Sequence, residues 1–173
     1  MNNHGAIIEN GNSEQNKAEQ ALQQFLTFNI GSEEYAVGLM SVREIKGWTQ
    51  TTRLPNSPDF MKGVINLRGV VIPIFDLRKR FSMGDTEPHE KNAVIILSVG
   101  DRLIGILVDA VSDILSTNAS NIRPAPHVES KIDTNFVSGL IEREEKMVVL
   151  LDVEKIFDTT TLTYANNSGD KAE

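Results

Sequence analysis

The chain has 173 residues, a formal net charge of −7 and no cysteine. Disulfides and thiolate metal sites are therefore excluded, and the acidity argues against a phosphate backbone as the main binding partner. With no 18-residue apolar run, and no basic start followed by an apolar stretch, the chain reads as a cytoplasmic protein without membrane insertion.

Residues 1–22 are rich in Asn, Gln, Glu and Ser and are expected to form a flexible tail, although Lys17–Gln24 admits a short helix. Phe25–Ile30 and Tyr35–Leu39 read as strands around a four-residue turn, Gly31–Glu34. Ser41–Trp48 spaces Val42, Ile45 and Trp48 like a helical turn leading into a strand. Thr49–Pro58 carries two prolines and reads as extended, with a helical turn at Asp59–Lys62. Gly63–Phe81 is the most informative stretch. Its β-branched runs Val64-Ile65 and Val70–Phe75, joined across Asn66-Leu67-Arg68-Gly69, predict a β-hairpin. Asp76 then N-caps a short helix reaching Phe81. Ser82–Asn92 is a polar link. Ala93–Val99 and Leu103–Val108 are almost continuously apolar, as strands covered on both faces should be. A strand at Val111–Leu115, a long loop at Pro124–Asn135, a second hairpin at Phe136–Ile141 and Met147–Leu151, and a second helix at Asp152–Phe157 follow. Residues 159–173 read as a flexible tail, and Asp109 and Asp113 as solvated turn residues.

The chain repeats itself. An offset of 76 residues lays Gly63–Phe81 over Gly139–Phe157 without a gap, pairing Gly63 with Gly139 and Asp76 with Asp152. An offset of 69 lays Phe28–Ile45 over Leu97–Ile114, pairing Val42 with Val111. Two copies, roughly 25–81 and 93–157 with a linker at 82–92, are too few for a solenoid. They predict one mainly β domain over 23–158, built as two small five-stranded barrels with short helices. Whether the chain crosses between the barrels stays open.

The search for chemistry finds little. His4, His89 and His127 lie in the tail, the linker and a loop, and none sits at ligand spacing with a second His or carboxylate. Gly100–Gly105 has the spacing of a phosphate loop but Ile106 where Lys is required, and no G-x-S-x-G occurs. Asp76 and Asp152 read as helix caps. No enzyme, cofactor or metal is implied. The informative feature is an asymmetry between the copies. The first tip exposes Leu67 and Arg68, whereas the second, Glu142-Arg143-Glu144-Glu145, is a charge run. Arg is enriched at binding hot spots, and a Glu44–Arg68 pair would orient it.

The segments FLTFNIGSEEYAVGLMSVREI, KGVINLRGVVIPIFDLRKRF, GILVDAVSDILS and IRPAP, taken in order, resemble the bacterial chemotaxis coupling family, CheW, from Phe25 to Phe157. The resemblance implies two SH3-like five-stranded β-barrels sharing a core, and no catalysis. It further implies an adaptor between the cytoplasmic tips of methyl-accepting chemoreceptors and the C-terminal regulatory domain of the histidine kinase CheA, recruited to membrane-associated receptor arrays. The same adaptor role in a parallel pathway controlling pili, biofilm or cyclic-dinucleotide output is the alternative, with a small-molecule-binding regulator further behind. Carried over by position, Val42, Glu44, Gly63 and Arg68, with Asn66 and Leu67 beside them, are the expected partner-binding residues. An apolar groove between the barrels would take the receptor's helical tip.

Overall fold

The computed structural model describes residues 21–126 and 133–157; the expectations for the two tails and for His4 and His127 lie outside these. Among the described residues, eleven strands form two sheets. In chain order they are β1 (Leu22–Ile30), β2 (Glu33–Gly38), β3 (Val42–Gly47), β4 (Met61–Leu67), β5 (Val70–Asp76), β6 (Ala93–Val99), β7 (Arg102–Val108), β8 (Ala110–Asn118), β9 (Ile122–Arg123), β10 (Val137–Arg143) and β11 (Lys146–Leu151). Two one-turn helices, α1 (Leu77–Arg80) and α2 (Val153–Ile156), follow β5 and β11. The Asp76 carboxylate accepts from the Lys79 N–H and that of Asp152 from the Glu154 and Lys155 N–H groups, so both expected caps form.

The six-stranded sheet runs β8-β1-β2-β11-β10-β9 and the five-stranded sheet β3-β6-β7-β5-β4. Mapped through the repeat, the two orders are the same except that β9 has no counterpart in the five-stranded sheet. Each contains one parallel pair, Leu150 opposite Ala36 in the first and Ile74 opposite Gly105 in the second. The chain does cross. β1 and β2 from the first copy join β8–β11 of the second, while β6 and β7 of the second join β3–β5 of the first. The leading hairpin of each repeat is thus exchanged with the other.

Several local expectations need correction. Leu22–Gln24 is strand, because Asn118, Thr117 and Ser116 of β8 pair with it and tertiary pairing overrides local preference. The β1–β2 turn has two residues, Gly31 and Ser32, instead of four. Leu39 leaves the strand to enter a 3₁₀ turn, Leu39–Ser41, which carries the chain from one sheet to the other. Met61 opens β4, so the anticipated helical turn before the hairpin shrinks to Asp59-Phe60. The sheets hold six and five strands, because the chain after Asn121 adds β9 beside β10.

The near-continuous apolar character of β6 has a direct cause. Ile95, Leu97 and Val99 face a central cluster shared by both sheets, while Val94 and Ile96 face a smaller cluster with Ile65, Ile72, Ile74 and Leu107. A third cluster of Ala36, Ile141, Val148 and Leu150 lies within the six-stranded sheet. Each side chain fully buried this way contributes about 1.5–3 kcal/mol, so the exchanged strands hold the molecule together from both faces.

Where the copies meet, one position breaks the repeat. The Arg80 guanidinium lies over the rings of Phe60 and Phe136, 4.9 and 4.7 Å from their centroids. Those two phenylalanines are each other's equivalents at the 76-residue offset. Arg80 also donates through Nε and Nη2 to the carbonyl of Ile156, its own equivalent, at 3.2 and 3.1 Å. Cation–π contacts of about 0.5–2 kcal/mol and charge-assisted bonds of about 1.5–3 kcal/mol are at stake. Arg80→Met should therefore cost about 2 kcal/mol in chemical denaturation followed by circular dichroism. A change under about 0.5 kcal/mol, the ordinary range for surface substitutions, would show that the bridge is not structural.

Candidate functional site

The first hairpin ends in a tight turn. Arg68 and Gly69 both have positive φ, 49° and 84°, the primed geometry that suits strand twist. The Asn66 side-chain oxygen accepts from the Gly69 N–H at 2.8 Å and stabilises the turn. Leu67 is half-buried against the five-stranded sheet's own cluster, so it supports the tip more than it projects from it. Arg68 stands out, 75% exposed, with its Nη2 donating to Glu44 Oε2 at 2.5 Å.

Glu44 lies on β3, at the opposite end of the sheet's hydrogen-bonded order from β4. The pair therefore joins the β4–β5 turn at one end of the sheet's order to the outermost strand β3 at the other, through side chains. A register shift between Val42 and Glu44 against β6 leaves Arg43 as the extra residue, and such a bulge re-aims the side chain after it. An exposed pair of this kind adds about 0–1 kcal/mol, so its main effect is to hold the arginine in place. Val42 is half-buried and packs on the shared core.

Gly63 is buried, with φ +136°. A Cβ there would collide with the Thr52 carbonyl, whose residue bonds to Val64 in both directions at 2.9 and 2.8 Å. Gly63 thus influences the surface only through the backbone path it permits.

The second tip repeats this construction with different chemistry. Asp113, the equivalent of Glu44 at the 69-residue offset, also sits at a register shift, here where Ser112 and Asp113 face the span between Leu26 and Phe28 of β1. It is no turn residue but a member of β8, and Arg143 grips it with two parallel bonds, Nη1 to Oδ1 at 2.8 Å and Nη2 to Oδ2 at 2.6 Å. The buried Thr27 hydroxyl adds a bond to Oδ1 at 2.9 Å, and Glu34 sits 3.4 Å from Arg143 Nη1. These hydrogen bonds hold the Asp113 carboxyl down to about 2, below its ordinary 3.8. Asp109 is likewise paired, with Arg78, while accepting from the Gly31 N–H at 2.7 Å. Reading single residues missed both carboxylates. The 69-residue offset places Asp113 over Glu44 and was the available signal.

Two depressions complete the surface. An apolar groove of about 360 Å³ lies beside the crossing turn, lined by Leu22, Phe25, Leu39 and the protruding Met40. A polar cleft of about 980 Å³ opens between the linker and β8 around Arg78, Asp109, His89 and Lys91. The linker wall is fixed by Thr86, whose N–H and hydroxyl both donate to the buried Asp76 carboxylate at 2.9 and 2.6 Å. Among the described residues no group of His, Asp and Glu is placed to hold a metal ion.

An oriented arginine at a hairpin tip, an apolar groove and a doubled β framework define a β-rich binding module. Residues 24–161 match the CheW-like domain. The chain is 44% identical over 145 residues to the chemotaxis protein CheW of Klebsiella aerogenes, covering 84% of this chain and 87% of that one. It is 41% identical to a probable chemotaxis protein CheW of Rhizobium etli, covering 82% and 91%. The crystal structure of the scaffolding protein TtCheW from Thermoanaerobacter tengcongensis superposes with a TM-score of 0.75 at 30% identity, over 82% of this chain and 91% of that one. The chain belongs to the CheW-like family, and its role is that of a chemotaxis adaptor or scaffold, not an enzyme.

The low Asp113 value has a defined sign. A carboxyl whose folded pKa is depressed stabilises the fold above its unfolded pKa and loses that contribution as pH falls through the folded value. Urea midpoints of the wild type should therefore fall more steeply between pH 4 and 2 than those of Asp113→Asn. Parallel curves would mean that the clasp does not stabilise the native state.

Proposed function

We propose that this protein couples the cytoplasmic tips of methyl-accepting chemoreceptors to the C-terminal regulatory domain of the histidine kinase CheA, working in the cytoplasm at membrane-associated receptor arrays. The observation that carries the reading is Arg68, held upright by Glu44 yet mostly open to solvent, in a chain of the CheW-like family. No helix among the described residues is long and apolar enough to cross a membrane, so attachment to an array would come through partners.

Within this reading Arg68 and Glu44 meet the receptor, with Val42 at the margin and Asn66, Leu67 and Gly63 fixing the shape of the tip. The groove beside Leu39 and Met40 suits an amphipathic helix laid with its apolar face inward. Receptor control then reaches the kinase as a coupling free energy. Receptor states must differ in affinity for the adaptor–kinase unit, because a ligand shifts an equilibrium only through such a difference.

The test is a pull-down of the purified protein with a receptor signalling-tip fragment and a CheA regulatory domain from the same organism. Wild type should retain both. Arg68→Ala, with an unchanged circular dichroism spectrum, should lose the receptor fragment at least tenfold and keep the kinase domain. Gly63→Ala should lose protein along with binding, because its new Cβ meets backbone. If folded Arg68→Ala still holds the receptor fragment, the tip is not the contact.

A further inference from the structure

The two hairpin tips are equivalent by repeat but are fastened very differently. Arg68 makes one bond to one carboxylate and is otherwise in water. Arg143 makes two parallel bonds to Asp113 and lies near Glu34, and only 29% of its side chain is exposed. Asp113 is itself anchored, since its oxygen accepts from the Thr27 hydroxyl and its N–H donates back to that hydroxyl at 3.2 Å. Thr27 is fully buried. The cluster therefore ties four elements, β10, β8, β2 and β1, at one point.

We infer that the Asp113–Arg143 clasp locks the second tip onto β8, making the six-stranded sheet the fixed half of the molecule and leaving the first of these two tips as the releasable one. The physical basis is the difference between the two fastenings. Paired charge-assisted bonds are roughly twice as strong as neutral ones and specify a single orientation, whereas a lone exposed ion pair exchanges with water or a partner group at little cost. Freeing the second tip requires breaking both Arg143 bonds together, leaving a half-exposed Asp113 carboxylate with the buried Thr27 hydroxyl as its remaining anchor. Freeing the first requires breaking one. A partner group competing for Arg68 therefore meets weak opposition, and one competing for Arg143 meets strong opposition. The clasp would confine partner-driven rearrangement to the β4–β5 end. Its meaning for signalling rests on the reading of Arg68 as a contact residue, but the asymmetry itself does not.

Hydrogen–deuterium exchange on the full chain, without partners, reads the asymmetry directly. In the wild type, amides of 142–147 and of β8 should exchange at least tenfold more slowly than those of 66–71. Asp113→Asn keeps the side-chain shape and an acceptor for Thr27 while removing the charge, so it should fold and should raise exchange at 142–147 about tenfold. Arg68→Leu should change exchange at 66–71 by less than twofold. Nitrogen-15 spectra of the arginine side chains supply a second readout, with hindered guanidinium rotation expected for Arg143 and free rotation for Arg68. The inference is overturned if both tips exchange alike in the wild type, or if Asp113→Asn leaves 142–147 unchanged. Receptor binding enters none of these readouts, so failure here leaves the proposed function standing, and the reverse also holds.

Discussion

Burial on both faces of the exchanged hairpins is the constraint on which the rest of this structure depends. β6 and β7 place one set of side chains in the core common to both sheets and the alternate set in the five-stranded sheet's own cluster. β1 and β2 do the same for the six-stranded sheet, with Phe28 and Ile30 in the common core and Ala36 in the local one. Neither repeat can complete a core from its own strands, because its leading hairpin belongs to the other sheet. The duplicated segments are thus obliged to fold as one body.

Within that body the repeat preserves backbone geometry more faithfully than chemistry. Apart from β9, both sheets share strand order, one parallel pair, a register shift at the carboxylate on the β3 or β8 strand, and another just ahead of Gly63 or Gly139. The two glycines remain for different local reasons, since a Cβ would strike the Thr52 backbone at Gly63 and the Ile122 side chain at Gly139. The side chains at the tips diverge freely because the turn itself demands only φ > 0 at its centre, satisfied by Arg68-Gly69 in one copy and Glu144-Glu145 in the other. Divergence at the tips gives one framework an exposed arginine at one end and a tied one at the other.

The proposed coupling calls for a scaffold that is stiff in its body and yields at the tip a partner would contact. The common core and the Arg80 bridge resist relative movement of the sheets, while the β4–β5 tip is fastened through one side-chain pair. In that proposal, rigidity in the body would let a small change at the tip alter how a whole partner sits, since packed cores shift between discrete arrangements and do not deform continuously.

Much of this was legible in the residues alone. The two offsets revealed the duplication; the β-branched runs around a glycine-bearing bend revealed the hairpins, and Asp76 and Asp152 the helix caps, because hairpins and caps depend on neighbours a few positions away. Family membership was legible too, carried by the ordered segments around Asn66–Phe81 and Val108–Leu115, and the Glu44–Arg68 pair was anticipated independently from the lone arginine at the first tip. Exchange of hairpins between repeats was not legible, since a continuously apolar strand records that both faces are buried and is silent on which neighbour buries them. The strand character of Leu22–Gln24 depended on pairing with β8, nearly a hundred residues away in sequence. Asp113 passed for a solvated residue because its partners, Thr27 and Arg143, are distant in the chain. Sequence alone determined the repeated local units and their backbone requirements; only the tertiary structure decided which units pair and which charges meet, because those outcomes depend on contacts between segments that the chain order keeps far apart.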